Sequence, residues 1–339
     1  MIEARYHDEV NVLQELFAKG SSASSPFDRA EWYALLAQTG LTPLIAIASD
    51  ADNSAALALT GTSGRITPLR NWYSFTWRQL APDGEHGDRL LVEIARQLKS
   101  RGHRVTLEPV PDEDGSASRL AQAFAKAGWR VEVSRCDTNH VLHVGDQSFS
   151  DYWAARPGPL RTTLKRKAKK VTCKVITDFD EALWGEYEAI YASSWKPTED
   201  YPAMLRDFAR EEAAAGRLRF GMAWHEGKPV AAQCWTVESG TAFIHKLAYL
   251  EEAKSLSAGT TLSAALFEHV IDVDRVDMVD FGTGDEPYKA DWMNAVRPRY
   301  RIDCIDMSTL RGWLDLARLA VARSRAKDVP ELAPAPPRR

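Results

Sequence analysis

Cysteine is scarce in this chain, with Cys136, Cys173, Cys234 and Cys304 the only four in 339 residues. They are far apart and form no CxxC pair or Cys/His cluster, which excludes a disulfide-stapled scaffold and argues against structural zinc. No apolar run approaches the roughly 18 to 20 residues needed to span a bilayer. The start, Met1-Ile2-Glu3-Ala4-Arg5, lacks the basic-then-apolar pattern of a secretory signal. GxSxG, HExxH, Walker-A and GxGxxG sequences are all missing, so serine hydrolase, zincin, P-loop and Rossmann readings have no support. The histidines are scattered without ligand spacing, and no metal site is expected. With 43 basic and 47 acidic side chains the net charge is −4, which opposes general nucleic-acid binding.

What is present is an ordinary soluble mixture, 45% apolar and 27% charged, long enough for two domains. A cytoplasmic chain is the expectation. Residues 1–20 read as an irregular start and a short helix, broken by the Ser-rich run 20–26. Phe27 to Thr39 reads as a helix with Trp32, Leu35 and Leu36 inward, followed by a hairpin of Thr42 to Ala48 and Ala55 to Thr60. Helices are expected over Asp88 to Arg101 and Ser116 to Ala127, and strands over Val105 to Val110, Trp129 to Val133 and Thr138 to Val144. The second half repeats that order. Helices over Phe149 to Lys170 and Phe179 to Ser194 precede a meander of Leu218 to Trp224, Val230 to Val237 and Thr241 to Tyr249. A helix from Gly259 to Asp272 and strands Val276 to Phe281 and Ile302 to Met307 complete it. The expected units are 1–147, 148–309, a basic amphipathic helix over 310–327, and a disordered Pro-rich tail over 328–339.

Three stretches could carry chemistry. Ser257-Ala258-Gly259-Thr260-Thr261 opens a helix with small residues, where unpaired N–H groups and the dipole suit a phosphate; plain capping is the bland alternative. Asp280 to Lys289 ends a strand in Gly282 and Gly284, then crowds Asp285, Glu286, Tyr288 and Lys289 together. Glycines there permit close approach, and crowded titratable groups suit acid–base work; a solvated turn is the alternative. Residues 156–170 hold seven basic side chains and no acidic one. Such a run, including Arg161 and Lys165, suits coenzyme A phosphates, a tRNA stem or anionic lipid, or is only a solvated face. His245, alternating with apolar residues in a strand, reads as a core or cleft histidine rather than a ligand.

These residues resemble a known family. Ala231-Ala232-Gln233, Ile244 to Tyr249, Leu256 to Thr260 and the block Asp280-Phe281-Gly282-Thr283-Gly284-Asp285-Glu286-Pro287-Tyr288-Lys289 look like the GNAT superfamily. The likeness is to the branch of the Fem peptidyltransferases and cellulose-biosynthesis-type acetyltransferases, and it covers about 150–292. It implies an α/β (α+β) fold of tandem GNAT-like domains, each a mixed, mostly antiparallel sheet flanked by helices. In the C-terminal domain, Thr241 to Tyr249 and Val276 to Phe281 would splay apart around the donor's pantetheine arm.

The backbone of Leu247, Ala248 and Tyr249 would hold the acyl carbonyl, and Ser257 to Thr261 the pyrophosphate. Gly259 is the only glycine in a loop that commonly reads Q/R-x-x-G-x-G/A, and Fem relatives draw on aminoacyl-tRNA instead. Catalysis would fall to Asp285 or Glu286 as base or acceptor clamp, Lys289 as electrostatic stabiliser and Tyr288 as acid or positioning group, with His245 nearby. The implied activity is N-acyl transfer from acyl-CoA, a co-substrate rather than a resident cofactor, to a small amine, an amino sugar or a lipid amine such as a sphingoid base. The alternatives are an aminoacyl-tRNA-dependent transferase and a non-catalytic binding module. The basic helices at 156–170 and 310–327 suggest peripheral contact with an anionic membrane on its inner face.

Overall fold

The computed structural model describes residues 2–18 and 25–326. The Ser-rich break at 20–26 falls largely outside them, and the tail at 328–339 wholly so. Among the described residues twelve strands form one open sheet: β1 (Glu3–His7), β2 (Pro43–Ser49), β3 (Ser54–Thr62), β4 (Arg65–Pro68), β5 (Arg104–Val110), β6 (Arg130–His143), β7 (Thr172–Ile176), β8 (Leu218–His225), β9 (Lys228–Glu238), β10 (Thr241–Tyr249), β11 (Met278–Thr283) and β12 (Ala295–Ile305). Their spatial order is β1-β2-β3-β4-β5-β12-β6-β11-β10-β9-β8-β7. Helices α1 (Val12–Ala18), α2 (Ala30–Ala37), α3 (Glu85–Leu98), α4 (Ser116–Lys126), α5 (Phe149–Ala154), α6 (Gly158–Lys167), α7 (Glu181–Ala192), α8 (Pro202–Ala214), α9 (Ala258–Glu268), α10 (Lys289–Trp292) and α11 (Leu310–Ala326) flank it. The architecture is mixed α/β, mostly antiparallel.

The halves interlock rather than sit side by side. β12, from the end of the chain, lies between β5 and β6, pairing antiparallel with both. That placement explains a difference from the sequence reading: 129–144 forms one strand where two were expected. Its polar middle, Ser134 to Asp137, looks like a turn in isolation, but β12 supplies partners from Arg130 to Val141, Arg301 to Ser134 and Arg299 to Asp137 among them, with a register shift that passes over Cys136. Glu3–His7, expected to be irregular, pairs antiparallel with β2 as an edge strand. The helix expected over 149–170 is broken at Arg156-Pro157, because proline brings no N–H and disfavours helical backbone before it. β4, β7 and α8 were not anticipated. β7 is short and is recruited by its partner β8, which leaves little periodicity to read.

Two parallel contacts decide where a site can open. β10 and β11 pair only at Thr241–Phe243 with Met278–Asp280. Beyond that β10 stays with β9 as far as Tyr249 opposite Ala231, while β11 stays with β6 as far as Thr283 opposite Asn139. Each strand follows its other neighbour, so the two diverge and leave a wedge with an unpaired β10 edge. An irregularity in the β9 pairing at His245, between Ile244 and Lys246, accompanies the divergence. In the first half β4 and β5 likewise pair only through Arg65–Ile66 and Arg104–Val105. There the chain itself bridges the gap. Trp77 N donates to Pro109 O (2.9 Å) on β5, while Leu80 and Ala56 exchange backbone bonds on β3. Among the described residues no such backbone bridge crosses the second wedge.

Candidate active site

The loop leaving β11 is fixed by side chains from β6 and β12. Asp280, 4% exposed, accepts from Asn139 Nδ2 (2.7 Å), the Gly282 N–H (2.7 Å) and Arg297 Nη2 (3.0 Å). Asp137 Oδ1 accepts the Gly284 N–H at 3.0 Å. Gly282 has φ +72°, and a Cβ there would lie 3.0 Å from the Phe75 ring; Gly284, at φ +99°, leaves room for Glu286 Oε2. Both glycines are thus required by backbone conformation and by close approach.

Lys289, at the start of α10, is buried under this loop. Its ammonium donates to the carbonyls of Thr283 and Gly284 and pairs with Glu286 Oε2 at 2.8 Å. With three partners for three N–H groups, it braces the loop and places positive charge there. Burial raises the Glu286 carboxyl, but the hydrogen bond and charge of Lys289 outweigh it and hold the group below its ordinary value. Tyr288, half exposed, packs its ring on Phe281 (5.7 Å between centroids), and burial pushes its hydroxyl up to about 12, with Glu286 adding to the effect. Asp285 turns its largely exposed carboxylate to His140 Nε2 on β6, 3.3 Å away.

His245 takes a different place from the loop residues. Its ring is walled by Phe27, Phe75, Phe208 and Phe243, and Nε2 meets Thr236 Oγ1 at 2.8 Å. Burial drives its pKa down to about 3, so it stays neutral at physiological pH.

At the other end of the wedge, Tyr249 ends β10 against α9. Gly259 packs so closely that a Cβ would lie 3.1 Å from the Tyr249 ring. Gln233 braces the helix start by donating to Gly259 O (3.1 Å) and Ser263 Oγ (2.8 Å). Ser257, at φ +54°, precedes a first turn whose N–H groups at Ala258, Gly259 and Thr260 have no intrahelical acceptor, while Thr261 closes the turn onto Ser257 O. Lys167, at the end of α6, reaches Ser257 Oγ at 3.2 Å. Arg161 and Lys165 lie exposed on the same helix, whose Leu160 and Leu164 pack inward, so Lys167 is the basic residue in contact with the helix start.

Sequence reasoning missed a second cluster. Lys246, next to the β10 irregularity, sits 3.7 Å from the Trp72 ring centroid, 4.3 Å from that of Tyr73 and 5.3 Å from that of Tyr191. Its ammonium pairs with Glu199 at 2.7 Å, and Tyr73 donates its hydroxyl to the same carboxylate. Burial lowers Lys246 to about 8 against the opposing pull of Glu199. A lysine inside the apolar run 243–248 was the available signal; nothing in the sequence marked Trp72, Tyr73 or Glu199. The loop carrying Glu199 also holds Trp195 against Tyr249, 4.4 Å between ring centroids. Beside it a cavity of about 310 Å³ lies between α7 and α8.

The site is thus a splayed parallel pair with an open helix start at one end and titratable groups at the other. The acetyltransferase (GNAT) domain family model matches residues 160–290. Residues 160–290 thus match a GNAT domain, and the whole chain shares the fold of tandem GNAT proteins. Among solved structures it resembles FemX, at 8% identity over 90% of this chain and 98% of that one, with a TM-score of 0.62. L-PGS from Bacillus licheniformis is similar at 14% identity over 91% and 96%, TM-score 0.58. A tandem GNAT protein from the clavulanic acid biosynthesis pathway is similar at 13% identity over 89% and 98%, TM-score 0.50. At these identities the likeness is one of fold. No curated protein matches the sequence. Among the described residues no helix is long and apolar enough to cross a membrane.

Proposed function

We propose that this chain transfers an acyl group from a coenzyme A thioester to a primary amine. The observation that carries the reading is the unpaired β10 edge, Ile244 to Tyr249, running to the open first turn of α9 with Lys167 beside it. An extended amide-bearing arm can add to such an edge through backbone hydrogen bonds, and a pyrophosphate suits the helix start. The acyl carbonyl then lies near Leu247 to Tyr249. The amine attacks the carbonyl carbon, the tetrahedral intermediate collapses with loss of the thiolate, and Tyr288, protonated below about 12, gives the thiolate its proton. Glu286, ionised and partly exposed, takes the proton from the amine. Lys289 holds both on their loop, and proximity supplies much of the rate. His245, neutral and enclosed, stabilises the strand irregularity rather than moving protons. A small amine, an amino sugar or a lipid amine could serve as acceptor, the last with peripheral contact to an anionic membrane through α6 and α11.

Isothermal titration with coenzyme A tests the donor. Saturable heat, weakened about tenfold in Lys167→Ala, is expected; no heat at millimolar ligand refutes it. The seven basic residues of 156–170 and the likeness to FemX favour one other reading, transfer from aminoacyl-tRNA, which label transfer from charged tRNA in the absence of coenzyme A would support. A non-catalytic module is the remaining alternative. Transfer unchanged in both Lys289→Ala and Asp285→Ala would overturn the assignment of the site.

A further inference from the structure

We infer that the cavity between α7 and α8 is the acceptor pocket, and that it selects an amine carrying a carboxylate on an apolar body, with Lys196 as the anchor of that carboxylate. The inference deepens the acyl-transfer reading and rests on it for the reaction, but not for binding. The cavity, about 310 Å³, is walled by Trp184, Tyr187, Tyr191 and Leu205. That volume lies at the small end for ligand sites and suits a molecule the size of an amino acid.

Two of its charged lining residues are already satisfied. Glu188 is held by Arg206 and by Trp184 Nε1, and Glu199 by Lys246 and Tyr73. Lys196 is not. Among the described residues its ammonium makes no hydrogen bond or ion pair; it lies 5.9 Å from the Tyr191 ring centroid and 5.8 Å from that of Trp195. Glu199 and Glu286 are near enough to be felt without contact. A second unsatisfied donor belongs to the same lining: Tyr187 lines the cavity, is 2% exposed, and its hydroxyl has no partner. A buried hydroxyl and an unpaired ammonium on apolar walls together ask for an acceptor group. One cation and one hydroxyl match a carboxylate; a phosphate dianion asks for more donors. The pocket adjoins the wedge, because Trp195, next to Lys196, packs its ring tilted against Tyr249 at the end of β10.

The probes are L-phenylalanine, L-phenylalaninamide and O-phosphoethanolamine, titrated without acyl donor and read by tryptophan fluorescence, which Trp184 and Trp195 should report. Saturable binding of phenylalanine is expected, with the amide and the phosphoamine about tenfold weaker or more. Lys196→Met should cost the acid about tenfold, equivalent to about 1.4 kcal/mol, and leave the amide unchanged; Tyr187→Phe should weaken the acid less. Equal binding of acid and amide, tighter binding of the phosphoamine, or no saturable binding of phenylalanine overturns the inference. The acid–amide comparison uses the unaltered chain, so it stands even if a variant fails to fold. Binding of phenylalanine without acyl transfer from acetyl-CoA would instead count against the donor reading alone.

Discussion

Lys246 and Glu199 form a buried ion pair whose two partners should differ sharply in what their loss costs. The lysine side chain is 4% exposed and the glutamate 11%. Lys246→Met leaves the carboxylate enclosed with only the Tyr73 hydroxyl donating to it, and an uncompensated buried charge of this kind costs about 3–5 kcal/mol. Glu199→Gln leaves the ammonium among aromatic rings, but that group has another way out. Its pKa is already down to about 8, so releasing the proton at pH 7 costs only about 1.4 kcal/mol per pH unit, and a total near 1–2 kcal/mol is expected. The double variant removes both charges and should lose less than half of what Lys246→Met loses. Urea unfolding at pH 7, followed by tryptophan fluorescence and far-ultraviolet circular dichroism, measures all three. A double variant as unstable as Lys246→Met, or a Lys246→Met loss below about 1 kcal/mol, would show that the pair is not the buried, mutually dependent unit described.

The other expectations concern the loop and the wedge. The folded pKa of His245, about 3, lies below its unfolded value of 6.5, so the unfolded chain binds more protons between those limits. Stability should therefore rise with pH through that window and be lost as pH falls through it, and His245→Phe should flatten the slope by up to one proton; equal slopes refute the enclosure. Tyr288→Phe should lower kcat about 10²-fold with little change in stability, whereas a fall of less than about threefold removes Tyr288 as the acid. Gly282→Ala should cost about 1–3 kcal/mol through its positive φ and the Phe75 ring, and Phe75→Leu in the same chain should recover the steric part but not the backbone part; full recovery would mean that φ carries no cost.

Much of the local structure was legible. Trp32, Leu35 and Leu36 face the core as their helical spacing implies, and α3 buries Leu90, Leu91, Ile94 and Leu98. The hairpin around residues 50–53 and the meander of β8 to β10 stand where turn residues separate apolar runs. The Asp280 to Lys289 block was visible as a glycine-rich strand end followed by titratable residues. Its division of labour was not: Asp280 anchors the loop through Asn139 and Arg297, and Lys289 spends its donors on backbone carbonyls. Those partners come from strands remote in sequence, so no local pattern could assign them.

The sequence by itself determined most of the helices and the β8 to β10 meander, where α9 starts and which residues crowd at the end of β11, because these depend on side-chain periodicity and backbone preference within about a dozen residues. Tertiary structure alone decided that β12 threads between β5 and β6, that one wedge is bridged by its own chain while the other stays open, and that Tyr73, Glu199 and Lys246 meet. Those outcomes depend on strand pairing and on charge burial between groups brought together only once the sheet has closed around them.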